Sequence, residues 1–289
     1  MTPLAAQAAI AYQNLIFASA KEEKARLDAE LSAARNVQDA LLPNKIEVPQ
    51  TQISYFYESA SQTGGDWFYH HYEKARNRLY VFVGDVTGHG LPSAMLTAVV
   101  SGAVQSHLKK EFEQQSSKTT TIEQSLRELA EIANYAVFWA GTRSNRYMTM
   151  SFTCLDLSTG EFGVVNAGHM PPYILRGSEN RVSGLPCSGS LLGFSEEASF
   201  GYAHQFLEAG DSVLIYTDGL IENTVDEKPI VSPRGLRRIM ETEKEPQKCI
   251  ETLSANIANA MKQAELEDDV TVYMFRWEGS SEHKIALVG

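Results

Sequence analysis

The segment Leu79–Gly90, with the sequence LYVFVGDVTGHG, places an aspartate and a glycine-rich turn directly after an apolar run. The β-branched and aromatic side chains of that run predict a strand. Asp85 follows it at once, and a carboxylate in that position is poorly solvated unless a cation or a proton offsets its charge. The neighbouring glycines allow a sharp turn and let backbone carbonyls approach a ligand. A lone Asp-Gly pair predicts only a turn, but this longer motif points to a site.

Three further segments place aspartate beside a glycine or at the end of a predicted strand. They are Gly64-Gly65-Asp66, Thr217-Asp218-Gly219 and Asp268-Asp269-Val270-Thr271. Carboxylate oxygens without nearby cysteine ligands are suited to hard cations such as Mg²⁺ or Mn²⁺. If these segments converge, the mutual repulsion of their carboxylates requires a cation or a proton. The candidate metal ligands are therefore Asp66, Asp85, Asp218 and Asp268.

Short β-rich runs occur in adjacent groups rather than in strict alternation with helices. This order favours an α+β fold with a largely antiparallel sheet. Three stretches have apolar residues at helical spacing and predict helices, namely Pro92–Phe112, Thr121–Trp139 and Lys248–Ala264. The predicted strands are Ile53–Tyr57, Leu79–Val83, Ser151–Leu155, Gly163–Asn166, Tyr173–Leu175, Ser212–Tyr216 and Val270–Phe275.

Residues 4–42 contain no glycine or proline and predict one long helix that ends at Pro43. A heptad frame fits them only loosely, since polar residues such as Lys24 and Gln38 fall on its core positions. Two interpretations stay open: the helix packs on its own domain, or it pairs with another subunit or an upstream sensor. The predicted division is a linker or regulatory helix over 1–43, a catalytic domain over 44–277 and a flexible tail over 278–289.

The bulk composition excludes several classes of protein. The chain has 289 residues and a formal net charge of −11, which argues against a nucleic-acid-binding protein. No apolar run reaches the length that a membrane helix needs, and the N-terminus does not have the pattern of a signal peptide. Cys154, Cys187 and Cys249 form no CxxC pair, so we expect free thiols and a cytoplasmic protein.

In this order, the motifs resemble those of the SpoIIE/RsbU-type branch of the PPM (type 2C) protein phosphatases. The resemblance covers about residues 24–277 and includes a helix segment before the catalytic domain and a signature turn between central strands. The matching motifs are 34–43 (ARNVQDALLP), 64–68 (GGDWF), 84–90 (GDVTGHG), 166–172 (NAGHMPP), 216–222 (YTDGLIE) and 268–271 (DDVT).

The resemblance implies a sandwich of two antiparallel β-sheets flanked by helices, with two Mn²⁺ or Mg²⁺ ions between the sheets. It implies that Asp85 bridges both ions, that Asp66 and the Val86 carbonyl complete one side, and that Asp218 and Asp268 hold the other. Asp269 would support the loop rather than bind metal. Water activated by the ions would then attack the phosphoester in line, without a covalent phosphoenzyme.

The resemblance also implies a substrate and a setting. The substrate would be phosphoserine or phosphothreonine on a regulatory partner, a STAS-type (anti-anti-sigma-like) protein, in a partner-switching pathway. An upstream sensor domain and a homodimer through the N-terminal helix are further expectations. Two alternatives remain open: a regulatory pseudophosphatase that acts as a binding module, and an enzyme for small phosphoesters or nucleotides.

Some residues near the motifs have no assigned role. Tyr69 stands where the family commonly has an aspartate, and His70-His71 after it is interpreted as a feature of a sheet edge. His89 and His169 either act as general acids or fix their glycine-rich turns by hydrogen bonds. Arg143 and Arg146 are candidates for binding phosphate.

Overall fold

Two five-stranded sheets, each antiparallel throughout, form the centre of the computed structural model. The structure describes residues 3–113, 120–141 and 145–280, and the side chains of residues 12–110 within the first range. Helices flank both sheets and a long helix precedes them, so the predicted fold class, an α+β sandwich of two antiparallel sheets, is confirmed.

The first sheet has the strand order β1-β12-β9-β6-β7. Its two central strands, β12 and β9, run antiparallel, so the C-terminal end of β9 lies beside the N-terminal end of β12. Both ends carry predicted site residues. The strands are β1 (Thr51–Glu58), β6 (Tyr173–Arg176), β7 (Arg181–Gly184), β9 (Ser212–Tyr216) and β12 (Val270–Trp277).

The second sheet has the strand order β2-β3-β4-β5-β8. Strand β2 pairs with β3 in a register that sets Asp66 opposite Asp85. Strand β2 lies at the edge of this sheet, which agrees with the interpretation of His70-His71 as a feature of a sheet edge. The strands are β2 (Asp66–Glu73), β3 (Arg78–Val86), β4 (Met148–Asp156), β5 (Glu161–Ala167) and β8 (Gly201–Phe206).

Strand β3 is buried on both of its faces, which explains why its sequence is apolar without alternation. Val81 and Val83 point into the layer between the two sheets, where they join Tyr273 of β12. Tyr80 and Phe82 point the other way, into the layer between the sheet and its helices. Every one of these side chains is fully buried, so the strand that leads into Asp85 is fixed from both sides.

Helices cover the outer faces of the sandwich. Two long helices, α2 and α3, pack on the second sheet, and α5 and α6 pack on the first. Helix α5 begins at the N-cap Ser232, whose hydroxyl accepts a hydrogen bond from the Gly235 amide. A short hairpin of β10 (Thr224–Val225) and β11 (Lys228–Pro229) precedes α5. The helices are α2 (Leu91–Glu113), α3 (Ile122–Gly141), α4 (Gly219–Glu222), α5 (Pro233–Thr242) and α6 (Pro246–Ala260).

The N-terminal helix α1 (Pro3–Leu41) ends two residues before Pro43, as predicted. Its side chains from residue 12 to residue 30 are exposed, whereas Gln38 near its C-terminal end is buried. The long helix therefore contacts its own domain only through the last part of its described side chains.

The remaining predictions concern the whole chain. No helix among the described residues is long and apolar enough to cross a membrane. All three cysteines are free thiols. The domain limits stay predictions, and most of the predicted tail, residues 281–289, lies outside the described residues.

Candidate metal centre

The four predicted aspartates lie where strand ends of both sheets meet. Asp66 begins β2 and Asp85 lies near the end of β3, directly opposite. Asp218 follows β9 by two residues and Asp268 precedes β12 by two. The amide of Thr217 donates to the carbonyl of Thr271 at 3.0 Å, which holds these two segments side by side.

Three of the carboxylates converge on one point. Asp85, Asp218 and Asp268 each offer an oxygen, and the three oxygens lie within 4.8 Å of one another. Burial raises the pKa of Asp85 to about 8, with the negative charges of Asp268 and Asp218 adding to the effect. Burial likewise raises the pKa of Asp268 to about 6. Such clustered oxygens are the ligands that a hard divalent cation prefers.

Asp66 is almost fully buried, at 1% exposure, and only its Oδ2 accepts hydrogen bonds from side chains that the structure describes. Its Oδ2 accepts hydrogen bonds from the hydroxyls of Thr217, at 2.7 Å, and Thr271, at 2.6 Å. Its Oδ1 has no hydrogen-bond partner among the residues that the structure describes. Burial is the main cause of its raised pKa, and the charge of Asp85 is the next. A buried oxygen without a partner is costly, so the free Oδ1 beside Asp85 fits a role as a metal ligand.

Both carboxylate oxygens of Asp269 accept hydrogen bonds from neighbouring protein groups. Its Oδ1 accepts from the Ala60 amide at 2.7 Å and the Ser59 hydroxyl at 3.1 Å, and its Oδ2 accepts from the Gly65 amide. Both oxygens thereby hold the loop that leads into Asp66. This arrangement supports the prediction that Asp268 binds metal and Asp269 fixes the loop.

Backbone carbonyls complete the surroundings of Asp85. A side chain at Gly65 would begin 2.9 Å from the Val86 carbonyl oxygen, 3.2 Å from the Gly88 carbonyl oxygen and 3.2 Å from Asp85 Oδ1. These three oxygens therefore border one small space that only glycine leaves open. Gly88 also has a φ of +78°, which other residues rarely adopt. The Val86 carbonyl, which the resemblance implied as a metal ligand, therefore borders the same space as Asp85 Oδ1.

Two kinds of residue in the centre were missed from the sequence. Thr217 and Thr271 lie inside quoted motifs, but their shared contact with Asp66 joins residues 151 and 205 positions apart. Asn223 donates to the carbonyls of Gly219 and Asp268 and accepts from the amide of Glu267, at 2.7–2.8 Å. Asn223 thereby positions the loop before Asp268. In the sequence, Asn223 is marked only by its position directly after the motif that contains Asp218.

The two motif histidines differ in their surroundings. His89 is exposed, and no hydrogen bond fixes it among the residues that the structure describes. His169 is buried, and its Nδ1 lies 2.8 Å from the Thr149 hydroxyl. The side chain of Asn166 spans the same turn, bonding to the amide and the carbonyl of His169. Turn fixing therefore fits His169, whereas His89 has no such contact.

His70 is buried although it lies on an edge strand, because only 3% of its surface is exposed. Its Nε2 lies 2.7 Å from the Asn44 carbonyl and its Nδ1 lies 2.9 Å from the Tyr273 hydroxyl. It thereby joins the linker after α1 to the sandwich. Tyr69 stacks on Trp67, with ring centroids 6.0 Å apart, and contributes to packing rather than to the carboxylate cluster.

One helix residue reaches the centre from outside the sandwich. Gln38 of α1 bonds to the backbone of Gly64, the first residue of the Gly64-Gly65-Asp66 motif.

Of the two arginines considered for phosphate binding, Arg146 bonds to the loop that follows Asp85. Arg143, the other arginine considered for phosphate binding, lies outside the described residues.

Comparisons with known proteins identify the family and the fold of the chain. The family model described as "Stage II sporulation protein E (SpoIIE)" matches residues 75–278, more than half of the chain. The match includes Asp85, Asp218 and Asp268, while Asp66 precedes it. Phosphoserine phosphatase RsbU of Bacillus subtilis is 23% identical over 255 residues, which cover 86% of this chain and 70% of RsbU.

Two solved structures share the fold. The SiaA-PP2C domain of Pseudomonas aeruginosa superposes with a TM-score of 0.70 at 17% identity, covering 88% of this chain and 98% of that domain. RsbX, solved in complex with magnesium, gives a TM-score of 0.58 at 17% identity, covering 80% of this chain and 98% of RsbX.

These matches confirm the predicted resemblance and, with it, the enzyme class of a serine/threonine protein phosphatase. The chain belongs to the SpoIIE family.

Proposed function

We propose that this chain removes phosphate from phosphoserine or phosphothreonine on a regulatory protein, with two bound Mn²⁺ or Mg²⁺ ions. The observation that carries the proposal is the convergence of Asp85, Asp218 and Asp268 within 4.8 Å, next to the unpartnered Oδ1 of Asp66. Elevated carboxylate pKa values at a strand junction are typical of a site that a cation completes.

Each residue has a role in this proposal. Asp85 lies between the two halves of the centre and would contact both ions. Asp66 and the Val86 carbonyl would hold one ion, and Asp218 and Asp268 the other. When bound, two such ions lower the pKa of a shared water toward neutrality and neutralise phosphoryl oxygens. Thr217, Thr271 and Asn223 keep the carboxylates in place before any ion arrives, which lowers the cost of binding.

The proposed substrate is a phosphorylated STAS-type protein, and the support for it is the resemblance of the ordered motifs to SpoIIE/RsbU-type phosphatases. The chain would then act within a partner-switching pathway in the cytoplasm. A pseudophosphatase would not need all four carboxylates, and the full set favours turnover. An enzyme for small phosphoesters would act equally well on substrates without a protein part.

The test is turnover of a phosphorylated STAS protein by the purified chain with Mn²⁺. We expect release of inorganic phosphate that EDTA abolishes and that Asp85→Asn and Asp218→Asn reduce at least 1,000-fold. Asp226→Asn is the matched control, because Asp226 is exposed in the β10–β11 turn with a φ of 50° that suits asparagine. A chain that binds the phosphoprotein without turnover is a pseudophosphatase. Equal rates on nucleotides and on the phosphoprotein support the small-molecule alternative.

We also propose that α1 links the catalytic domain to a second copy of the chain or to an upstream sensor. Tyr12, Leu15 and Ile16 are 50–70% exposed on the part of α1 beyond the domain, and their spacing of three and four residues places them on one face of the helix. Apolar side chains on a helix face without a partner are typical of a contact surface. Removal of residues 1–30 leaves Gln38 in place, so it separates association from the contact at Gly64. If α1 pairs with a second copy, we expect the truncated chain to be monomeric in analytical ultracentrifugation. An unchanged oligomeric state would contradict that pairing and favour the contact with an upstream sensor.

A further inference from the structure

We infer that Arg146 binds the phosphoryl oxygens of the substrate, an inference that rests on the proposed phosphatase function. Arg146 lies between α3 and β4, outside every motif that the sequence comparison uses. Its guanidinium is directed at the loop that follows Asp85 and has donors to spare.

One nitrogen of the guanidinium fixes its position. Nη1 donates to the Thr87 carbonyl at 2.7 Å and to the Ser93 hydroxyl at 2.8 Å. The Ser93 hydroxyl in turn donates to the Gly88 carbonyl at 2.8 Å. The backbone of Tyr147 bonds to Thr87 in both directions, at 2.9 and 3.0 Å. Two hydrogen bonds thus hold the guanidinium, and the loop that it contacts is itself held by Ser93 and Tyr147. A side chain fixed in this way loses less freedom when it binds a ligand.

This position lies at the border of the metal centre. The Gly88 carbonyl oxygen borders the same space beside Gly65 as Asp85 Oδ1 and the Val86 carbonyl oxygen. A Cβ atom at Gly88 would lie 2.8 Å from Nη1 of Arg146. The guanidinium and the carboxylate cluster are therefore separated by the single turn Thr87–Gly88. A phosphoryl group at the metal centre would lie within reach of the arginine fork.

The remaining donors of Arg146 are unused. Nε and Nη2 have no hydrogen-bond or ion-pair partner among residues 3–113, 120–141 and 145–280. The chain has a net charge of −11, yet this arginine is fixed in place with free donors beside the acidic centre. Such an arrangement favours the binding of an anionic ligand. Two free N–H groups of a guanidinium match two phosphoryl oxygens in a planar, bidentate contact. Phosphate is therefore the ligand class that fits.

The test separates phosphate binding from a purely structural role. We compare wild type, Arg146→Gln and Arg146→Lys, with Arg181→Gln as control, since Arg181 is exposed on β7 at the opposite end of the sheet. Three quantities are measured: the affinity for Mn²⁺ by titration, the binding of inorganic phosphate to the Mn²⁺-loaded protein by calorimetry, and kcat and KM on the phosphoprotein.

If Arg146 binds phosphate, Arg146→Gln weakens binding of inorganic phosphate about 10- to 100-fold and leaves Mn²⁺ affinity within about 2-fold. Arg146→Lys restores part of the phosphate affinity, because it keeps the charge but not the fork. Equal phosphate affinity in wild type and Arg146→Gln overturns the inference. So does a parallel loss of Mn²⁺ affinity, which would show that Arg146 only supports the loop.

Failure of the proposed function gives a different result. A wild-type chain that binds phosphate through Arg146 but turns over no phosphoprotein refutes the phosphatase and keeps the phosphate site. A wild-type chain with full turnover, in which Arg146→Gln changes neither phosphate affinity nor kcat/KM, refutes only the role of Arg146.

Discussion

The side-chain amide of Gln38 pairs with the backbone of Gly64 as one peptide group pairs with another. Its Nε2 donates to the Gly64 carbonyl at 2.8 Å, and its Oε1 accepts from the Gly64 amide at 3.1 Å. Gly64 lies two residues before Asp66, and Gln38 lies near the end of a helix whose other end extends from the domain. Movement of α1 would therefore be transmitted to the loop that positions a proposed metal ligand.

Replacement of Gln38 tests this connection. Gln38→Ala leaves two buried backbone groups of Gly64 without partners, at a cost of about 1–3 kcal/mol. Because the Asp66 loop would then be less ordered, we expect the Mn²⁺ concentration for half-maximal activity to rise about 10-fold. Gln13→Ala, on the exposed part of α1, is the control and should behave as wild type. Equal Mn²⁺ dependence of both variants would show that α1 does not influence the metal centre.

The neighbours Asp268 and Asp269 should respond in opposite ways to the same substitution. Asp268→Asn removes a charge from a repulsive cluster, so the metal-free protein should gain stability while stabilisation by Mn²⁺ is lost. Asp269→Asn places an amide group next to the backbone donors of Ala60 and Gly65. We expect it to lower the free energy of unfolding by about 2–3 kcal/mol. Thermal unfolding with EDTA and with Mn²⁺ measures both effects, and the reverse pattern would assign the metal ligand to Asp269.

The order of the elements and the site could largely be predicted from the sequence, because apolar runs and glycine-rich turns are local signals. Strand β2 was missed, since its residues between Asp66 and Glu73 are aromatic and polar with no alternation to mark a buried face. Helix α5 was missed because three arginines leave only Leu236 and Met240 as its buried residues. Gln38 was assigned to a heptad, and its actual partner lies 26 residues away. Contacts of this kind depend on tertiary packing, which no local pattern contains.

The metal-free protein should become less stable as the pH rises above neutrality. Burial raises the pKa of Asp85 to about 8 in the folded protein, against about 4 when unfolded. The folded state therefore binds more protons than the unfolded state between these values, and its stability falls until the pH passes 8. Between pH 7 and 8.5 the free energy of unfolding should decrease by about 1 kcal/mol from this group.

Denaturant unfolding in EDTA at pH 7 and pH 8.5 measures the effect, and Asp85→Asn should reduce it. The part that remains is assigned to Asp66, whose pKa is also raised by burial. Burial lowers the pKa values of His70, His71 and His169, so these histidines are neutral in the folded protein above pH 7. In the unfolded state they lose their remaining protons just above pH 7, which opposes the trend by only about 0.2 kcal/mol per residue. With saturating Mn²⁺ the trend should reverse, because deprotonated carboxylates bind the cation more tightly. A metal-free protein whose stability is independent of pH in this range would contradict the raised pKa.

An aromatic pair next to Arg146, with one ring exposed and the other half-buried, should distinguish protein substrates from small ones. Phe194 is 67% exposed, and its ring centroid lies 6.0 Å from that of Tyr147. The segment that carries Phe194 is held beside the centre, because Leu192 bonds to Met148, the residue opposite Val86. Exposed aromatic rings near an active centre are suited to contacts with a bound polypeptide. We expect Phe194→Ala to raise KM for the phosphoprotein about 3- to 10-fold and to leave kcat and KM for p-nitrophenyl phosphate unchanged.

Phe206→Ala provides the matched control for that experiment. Phe206 is 57% exposed, but it pairs with Glu161 at the end of the sheet away from the carboxylates. Phe206→Ala removes an exposed ring of the same size as that of Phe194, and it leaves the region around Arg146 unchanged. If both variants raise KM for the phosphoprotein equally, the effect reflects general surface character rather than docking beside the metal centre. If Phe194→Ala slows hydrolysis of the small phosphoester as well, the ring supports the centre itself rather than the partner.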